Sequence, residues 1–204
     1  MNKNLHNFPA SKKIHIIANQ RSGSTWYQQV LSPYKINVNS LEFEPFNYGG
    51  ILNKFKPSLE YTMDYLHKQE ACVIKNQFNR LLEFDEFGKY TFDDLTNISG
   101  FERVILLRRN EFEQCVSYAL ANQTGEWQNT TNKDPIVITD KVWEYSKEFI
   151  TTHNAKLYYW AKSNNDRIVW YEDVKTLKTT DRALNPSKHL VIKNIDELAK
   201  DYIS

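Results

Sequence analysis

Arg21-Ser22-Gly23-Ser24-Thr25 sets one fixed positive charge beside a glycine and three hydroxyl side chains. Such a run can aim successive backbone N–H groups and hydroxyls at one oxyanion, and a guanidinium can fork onto the same oxygens. Gly23 lets the backbone come close to the ligand. The chemistry within reach is the holding of a phosphate or a sulfate. The spacing departs from the G-x-x-x-x-G-K-[ST] loop of Mg-nucleotide sites, because no Lys follows Gly23 and no Gly stands five residues before it.

A second pair of donors is Arg109 and Ser117, eight residues apart. Arg109 follows the apolar run Val104-Ile105-Leu106-Leu107, and Asn110 has the side chain of a helix N-cap. Phe112, Cys115, Val116, Ala119 and Leu120 recur at helical spacing, so Ser117 lies two turns into that helix. Both residues can offer donors to a further phosphate.

The elements that must position these groups alternate strand and helix. Ile14-His15-Ile16-Ile17-Ala18 leads into the cradle, and the helix after it supplies the positive end of its dipole to the same anion. Strands are expected at 13–18, 71–75, 103–108 and 167–171. All are rich in Ile, Val and Leu without strong alternation, as in a parallel sheet covered on both faces. Helices are expected at 24–31 (stopped before Pro33), 58–69 (Ser58 as N-cap), 111–122, 141–163 (Asp140 as N-cap) and 194–203. Residues 41–57, 84–100 and 123–139 read as loop-rich insertions, and Trp143, Phe149, Ile150, Leu157, Trp160 and Ala161 as a core stripe. No linker, repeat or low-complexity tract divides the chain. The expectation is one α/β domain over 1–204 with a central, mostly parallel sheet flanked by helices, in a three-layer P-loop-like arrangement.

Arg21, Ser22, Gly23, Thr25, Trp26, Arg109 and Ser117 together resemble the sulfotransferases that use 3′-phosphoadenosine 5′-phosphosulfate (PAPS). Gln123-Thr124-Gly125-Glu126-Trp127 resembles a Gln-Thr-Gly-x-Trp stretch of the bacterial carbohydrate and glycolipid members, the trehalose and nodulation-factor type. Tyr171-Glu172-Asp173-Val174 is similar to a Tyr-Glu-Asp-Leu strand end that many members carry. The matches keep the family's order over residues 14–174. The resemblance implies that Arg21, Ser22, Gly23, Ser24, Thr25 and Trp26 hold the 5′-phosphosulfate of PAPS, and that Arg109 and Ser117 hold its 3′-phosphate. The product nucleotide is 3′-phosphoadenosine 5′-phosphate (PAP), and no metal is required.

Sulfuryl transfer needs a cation near the leaving oxygen and a base near the acceptor hydroxyl. Arg21 is the expected cation, acting electrostatically, since a guanidinium does not give up its proton. Glu44 matches a Glu-Pro segment that carries the base in carbohydrate sulfotransferases, and Glu42 is a second carboxylate within the same segment. Phenol and steroid members instead place a His after the next strand. Here the corresponding run is Lys75-Asn76-Gln77, and Gln77 cannot act as a base, which turns the acceptor towards carbohydrates. Lys75 is a candidate for the sulfuryl group, while Tyr171-Glu172-Asp173 reads as bracing for the cradle. The stretch from Lys188 to Leu198 resembles the family's closing segment.

Composition narrows the partners. Lys and Arg number 26 against 25 Asp and Glu, a net charge of +1, so no global field draws nucleic acid or membrane and any anion site must be local. Cys72 and Cys115 read as buried hydrophobes, with no disulfide framework or metal-ligand spacing. The residues from Met1 to Lys13 hold no apolar leader and no run reaches membrane-spanning length, so the expected location is cytoplasmic. The Asn97, Asn122 and Asn129 sequons are then polar loops. His153 reads as core, His15 as a strand residue, and His6, His67 and His189 as exposed. The sequence leaves two other classes open: a non-catalytic module that binds 3′-phosphoadenosine nucleotides, and a P-loop nucleotide kinase. The partner is a small-molecule or carbohydrate acceptor, and the oligomeric state is not legible.

Overall fold

The computed structural model describes residues 13–35, 59–85, 91–127, 135–174 and 192–203. Within them four strands, β1 (Lys13–Ala18), β2 (Cys72–Gln77), β3 (Glu102–Leu107) and β4 (Arg167–Trp170), form one sheet in the order β2-β1-β3-β4. Every pairing is parallel, with Ala18 opposite Gln77 on one side and Leu106 on the other, and Leu107 opposite Trp170. All four strands therefore end at one edge.

Period two sorts each strand onto both faces. Ile14, Ile16 and Ala18, with Val73, Val104, Leu106 and Val169, pack under Tyr27 and Leu31 of α1 (Ser24–Lys35). Ile17, Ile74, Ile105 and Leu107 face the other way, onto Leu66 of α2 (Leu59–Lys68), Phe78 and Leu81 of α3 (Phe78–Asp85), Leu95 of α4 (Phe92–Thr96) and Leu157 of α6 (Asp140–Ser163). Both faces being covered is why the strands read as continuous apolar runs. A third cluster packs α5 (Glu111–Thr124) against α6 and α8 (Ile195–Ile203) through Cys115, Ala119, Trp143, Ile150 and Leu198. The short α7 (Tyr171–Val174) follows β4 without a break.

Several expectations shift in detail. α1 runs to Lys35 and so passes Pro33, which removes only one backbone donor within its last turn. β2 extends to Gln77 and passes directly into α3, since nothing in Gln77-Phe78 breaks the chain. α4, expected as loop, is held by a capping box in which Asp94 N–H donates to Thr91 Oγ1 and Thr91 N–H donates to Asp94. Asn110 caps α5 as expected, accepting from Glu113 N–H at 3.1 Å. Asp140 is instead the first helical residue of α6, after Thr139, which makes no side-chain cap. Ser58 lies outside the described residues. No helix among the described residues is long and apolar enough to cross a membrane.

Candidate anion-binding site

The cradle is the corner between β1 and α1. Arg21 adopts φ 61° and Gly23 φ 90°, two left-handed positions that turn the chain sharply enough to bring the start of α1 back over the strand end. A Cβ on Gly23 would lie 2.4 Å from Cδ2 of Tyr171, so glycine is required by close packing as well as by φ. The first helical bond runs from Tyr27 N–H to Gly23 O at 2.9 Å, and the N–H groups before it are those a helix start leaves without an intrahelical acceptor. Ser22 is buried, and its hydroxyl has no hydrogen-bond partner among the described residues. Ser24 is half-buried, Thr25 is exposed, and Trp26 packs edge-to-face on Tyr171 with centroids 5.8 Å apart.

Arg21 is half-buried and faces no carboxylate among the described residues. Its Nε donates to Ser117 Oγ at 2.8 Å and Nη1 to the Trp127 carbonyl at 2.5 Å, while the remaining N–H groups have no partner among those residues. Burial, followed by the charge of Arg108, lowers its pKa from the ordinary arginine value. Arg21 and Ser117, from segments 96 residues apart, thus meet at one point.

The β3–α5 corner lies beside it at the same sheet edge. There Arg108 turns inward: it donates to the Arg21 carbonyl at 3.4 Å, lies 5.2 Å from the Tyr171 ring centroid and pairs with Glu113. Its Nε, 3.9 Å from Glu172 Oε1, makes no hydrogen bond among the described residues. Arg109 turns outward, bidentate on Asp173 at 2.5 and 2.8 Å and 5.1 Å from the Trp170 centroid. The structure therefore brings Ser117 to Arg21 and carries Arg109 to Asp173. Arg108 was missed in the sequence, although it continues the Val104-Leu106 row that faces α1, and that parity is a readable signal. Glu172 accepts the backbone N–H groups of Arg109 and Asn110 at 3.0 and 3.1 Å. Burial pushes its carboxyl up, but those N–H donors and Arg108 outweigh it and hold the pKa below the ordinary range. Tyr171-Glu172-Asp173 thus braces the corner.

Beneath the cradle runs a polar network. Asn19 donates to Asn154 at 2.9 Å, Asn154 donates to Glu111 and Gln114, and Gln114 donates to the Gln20 carbonyl at 2.8 Å. Gln77 accepts from Gln20 at 2.7 Å, which ties the end of β2 to the same loop. Lys75 sits two residues earlier on β2 and is half-buried. His153 bonds the Phe149 carbonyl within α6, and His67 is exposed. His15 is fully buried against Asn76, and burial, with the charge of Arg103, pushes its pKa down to about 3. Cys72 and Cys115 are both buried thiols that form no disulfide. Glu42, Glu44, His6, His189 and the start of the Lys188–Leu198 stretch lie outside the described residues.

The arrangement suits one small oxyanion held between a guanidinium, a buried hydroxyl and helix N–H groups at the carboxyl ends of parallel strands, where open α/β sheets bind ligands. No known family model matches the chain, and no curated protein sequence matches it.

Proposed function

We propose that the chain is a PAPS-dependent sulfotransferase that moves a sulfuryl group to a hydroxyl of a carbohydrate or glycolipid, in a three-layer P-loop-like fold. The observation that carries the reading is the Arg21 guanidinium, which meets no carboxylate among the described residues, beside the Ser22 hydroxyl, which has no hydrogen-bond partner among them, at the start of α1. A charge kept partly out of water without a counter-charge is costly, and an anionic ligand removes that cost. The Arg109 and Ser117 motif supports a 3′-phosphorylated nucleotide over an ordinary one, and Gln123-Thr124-Gly125-Glu126-Trp127 supports a carbohydrate or glycolipid acceptor.

In this reading Ser22, Gly23, Ser24, Thr25 and Trp26 bind the 5′ end of the donor, and Arg109 and Ser117 its 3′-phosphate. The acceptor oxygen forms a bond to sulfur as the bond from sulfur to the 5′-phosphate oxygen breaks. The electron pair of the broken bond stays on that oxygen, where Arg21 stabilises the growing charge. The hydroxyl proton passes to a carboxylate, with Glu44 as the proposed base and Glu42 as its neighbour in sequence.

Calorimetry without metal tests the donor half. PAP is expected to bind more tightly than adenosine 5′-phosphate by at least about tenfold, since each hydrogen bond to a charged group contributes roughly 1.5–3 kcal/mol. Equal affinity for the two nucleotides overturns the reading. Mass spectrometry of PAPS-dependent products over a panel of sugars tests the transfer itself.

A further inference from the structure

The cradle does not end at Arg21. The carbonyl that takes Arg21 Nη1 belongs to Trp127, whose ring stands edge-on to Tyr118 at 5.6 Å and 68°. Tyr118 lies flat on Phe149, 4.8 Å apart at an interplanar angle of 3°. Tyr145 is tilted against both, at 6.4 and 5.9 Å. Its hydroxyl interacts with that of Tyr118. Tyr118 and Phe149 are the packed base of this group, whereas Trp127 is 44% and Tyr145 54% exposed. Tyr118 also follows Ser117 directly, so the aromatic group begins where the Arg21 contacts end.

Two large exposed aromatics packed on the buried Tyr118 and the half-buried Phe149, adjoining a charged cradle, have the character of a ligand surface. Its shape and chemistry narrow the occupant. The exposed Trp127 and Tyr145 rings are inclined to Tyr118 by 68° and 33° and so are not parallel to one another, and they form no slot for a flat base. The aromatic side chains themselves carry no charge, and the polar atoms they offer are phenol hydroxyls and the indole N–H of Trp127. A puckered ring with C–H groups on one face and hydroxyls at its rim matches such a surface, packing its C–H groups on the indole and phenol faces.

We infer that Trp127 and Tyr145 form the platform that holds a pyranose ring of the acceptor next to the Arg21 cradle. The inference rests on the transferase reading only for the role of that sugar as acceptor. The ring-stacking surface itself is a property of the aromatic group. Specificity then comes from which hydroxyl the stacked ring turns towards Arg21.

Saturation-transfer NMR with methyl β-glucopyranoside, methyl α-glucopyranoside, maltose and cellobiose tests it, with PAP affinity measured in parallel. Transfer from the protein to one face of the ring is expected. Affinity is expected to fall at least about tenfold, equivalent to ~1.4 kcal/mol, in Trp127→Ala and in Tyr145→Ala. Trp127→Phe is expected to keep most of it, and all variants to melt as the wild type does. PAP affinity is expected to stay unchanged throughout. Absence of transfer from any of the four sugars, or full transfer in Trp127→Ala, overturns the platform. Loss of PAP affinity in Trp127→Ala overturns it too, because the ring would then belong to the nucleotide. If PAP fails to bind while the sugars bind and Trp127→Ala loses them, the donor reading falls and the platform stands.

Discussion

Two strand-to-helix corners stand side by side at one edge of the sheet, and their charges are balanced in opposite ways. At the β3–α5 corner every charge is answered: Arg108 faces Glu113 and Glu172, Arg109 faces Asp173, and the backbone N–H groups of Arg109 and Asn110 face Glu172. At the β1–α1 corner, among the described residues, Arg21 meets only neutral oxygens and Ser22 Oγ meets nothing. The topology is the same, so geometry alone does not make a binding site. Among the described residues compensation is withheld at the β1–α1 corner, and the neighbouring corner, with its paired charges, braces it.

The largest effect is expected where the two corners touch. Gly23→Ala meets the Tyr171 ring, which is itself fixed by Trp26 and Arg108. A left-handed non-glycine costs roughly 1–2 kcal/mol and overpacking roughly 1–3 more, for a total of about 2–5 kcal/mol. Gly125 provides the control, with φ 70° and no atom within 4 Å of where its Cβ would stand. Gly125→Ala is expected to show the conformational cost alone. Urea unfolding of both variants checks this, and equal losses would mean that Tyr171 does not hold the cradle.

Arg21 and Arg108 sharpen the contrast between the corners. Removing Arg21 takes away a charge that meets no carboxylate among the described residues, so Arg21→Ala is expected to leave stability within about 1 kcal/mol while weakening PAP by roughly tenfold to a hundredfold. Removing Arg108 takes the ion-pair partner from Glu113 and the nearby positive charge from Glu172. Arg108→Ala is expected to cost about 1–3 kcal/mol of stability, because hydrogen-bonded charges lose their partner. Calorimetry and urea unfolding on the same two proteins decide it. Stability lost in Arg21→Ala and kept in Arg108→Ala would reverse the comparison.

Acid separates the braced corner from the sheet beneath it. The Glu172 carboxyl is held low in the folded state, so its contribution is present above the unfolded carboxylate range and is lost as pH falls through the folded pKa. Glu172→Gln is expected to cost about 1 kcal/mol near neutrality and progressively less below pH ~4. His15 is held neutral, with a folded pKa of about 3 against 6.5 unfolded. Its unfolded state takes up the proton first, so stability is full above 6.5 and declines by up to about 1.4 kcal/mol per pH unit as pH drops towards 3. His15→Gln is expected to flatten the slope between about pH 6.5 and 5, where Glu172 is silent. Unfolding curves at several pH values for both variants test the assignment.

How much of this was legible follows from the range of the interactions. The β1 and β3 runs, the small-residue turn at Arg21-Ser22-Gly23 and the Asn110 cap are local signals, and the strands and cap formed where the residues indicate. The Thr91 and Asp94 capping box is equally local, though it lies in a stretch whose composition reads as loop. Which of Arg108 and Arg109 turns inward was harder. It depends on strand parity together with Tyr171, Glu172 and Asp173, some 60 residues away in sequence. The exposed Trp127 and Tyr145 likewise come to share the Tyr118 ring only once α5 packs on α6.

The smallest effect tests the proposed 3′-phosphate site most directly. Arg109 is bidentate on Asp173, and both side chains are largely exposed. In that geometry Asp173 competes with any phosphate for the same guanidinium donors, and an exposed ion pair of this kind adds little to stability. If Arg109 takes the 3′-phosphate, binding must displace Asp173. Asp173→Asn is then expected to bind PAP modestly more tightly, with adenosine 5′-phosphate affinity and the melting temperature unchanged. Arg109→Ala is expected to erase the difference between the two nucleotides. A gain for both nucleotides alike in Asp173→Asn would mean that the substitution acts through overall charge. No gain for either, with full discrimination kept in Arg109→Ala, would move the 3′-phosphate away from this corner and leave Arg109 as part of the brace.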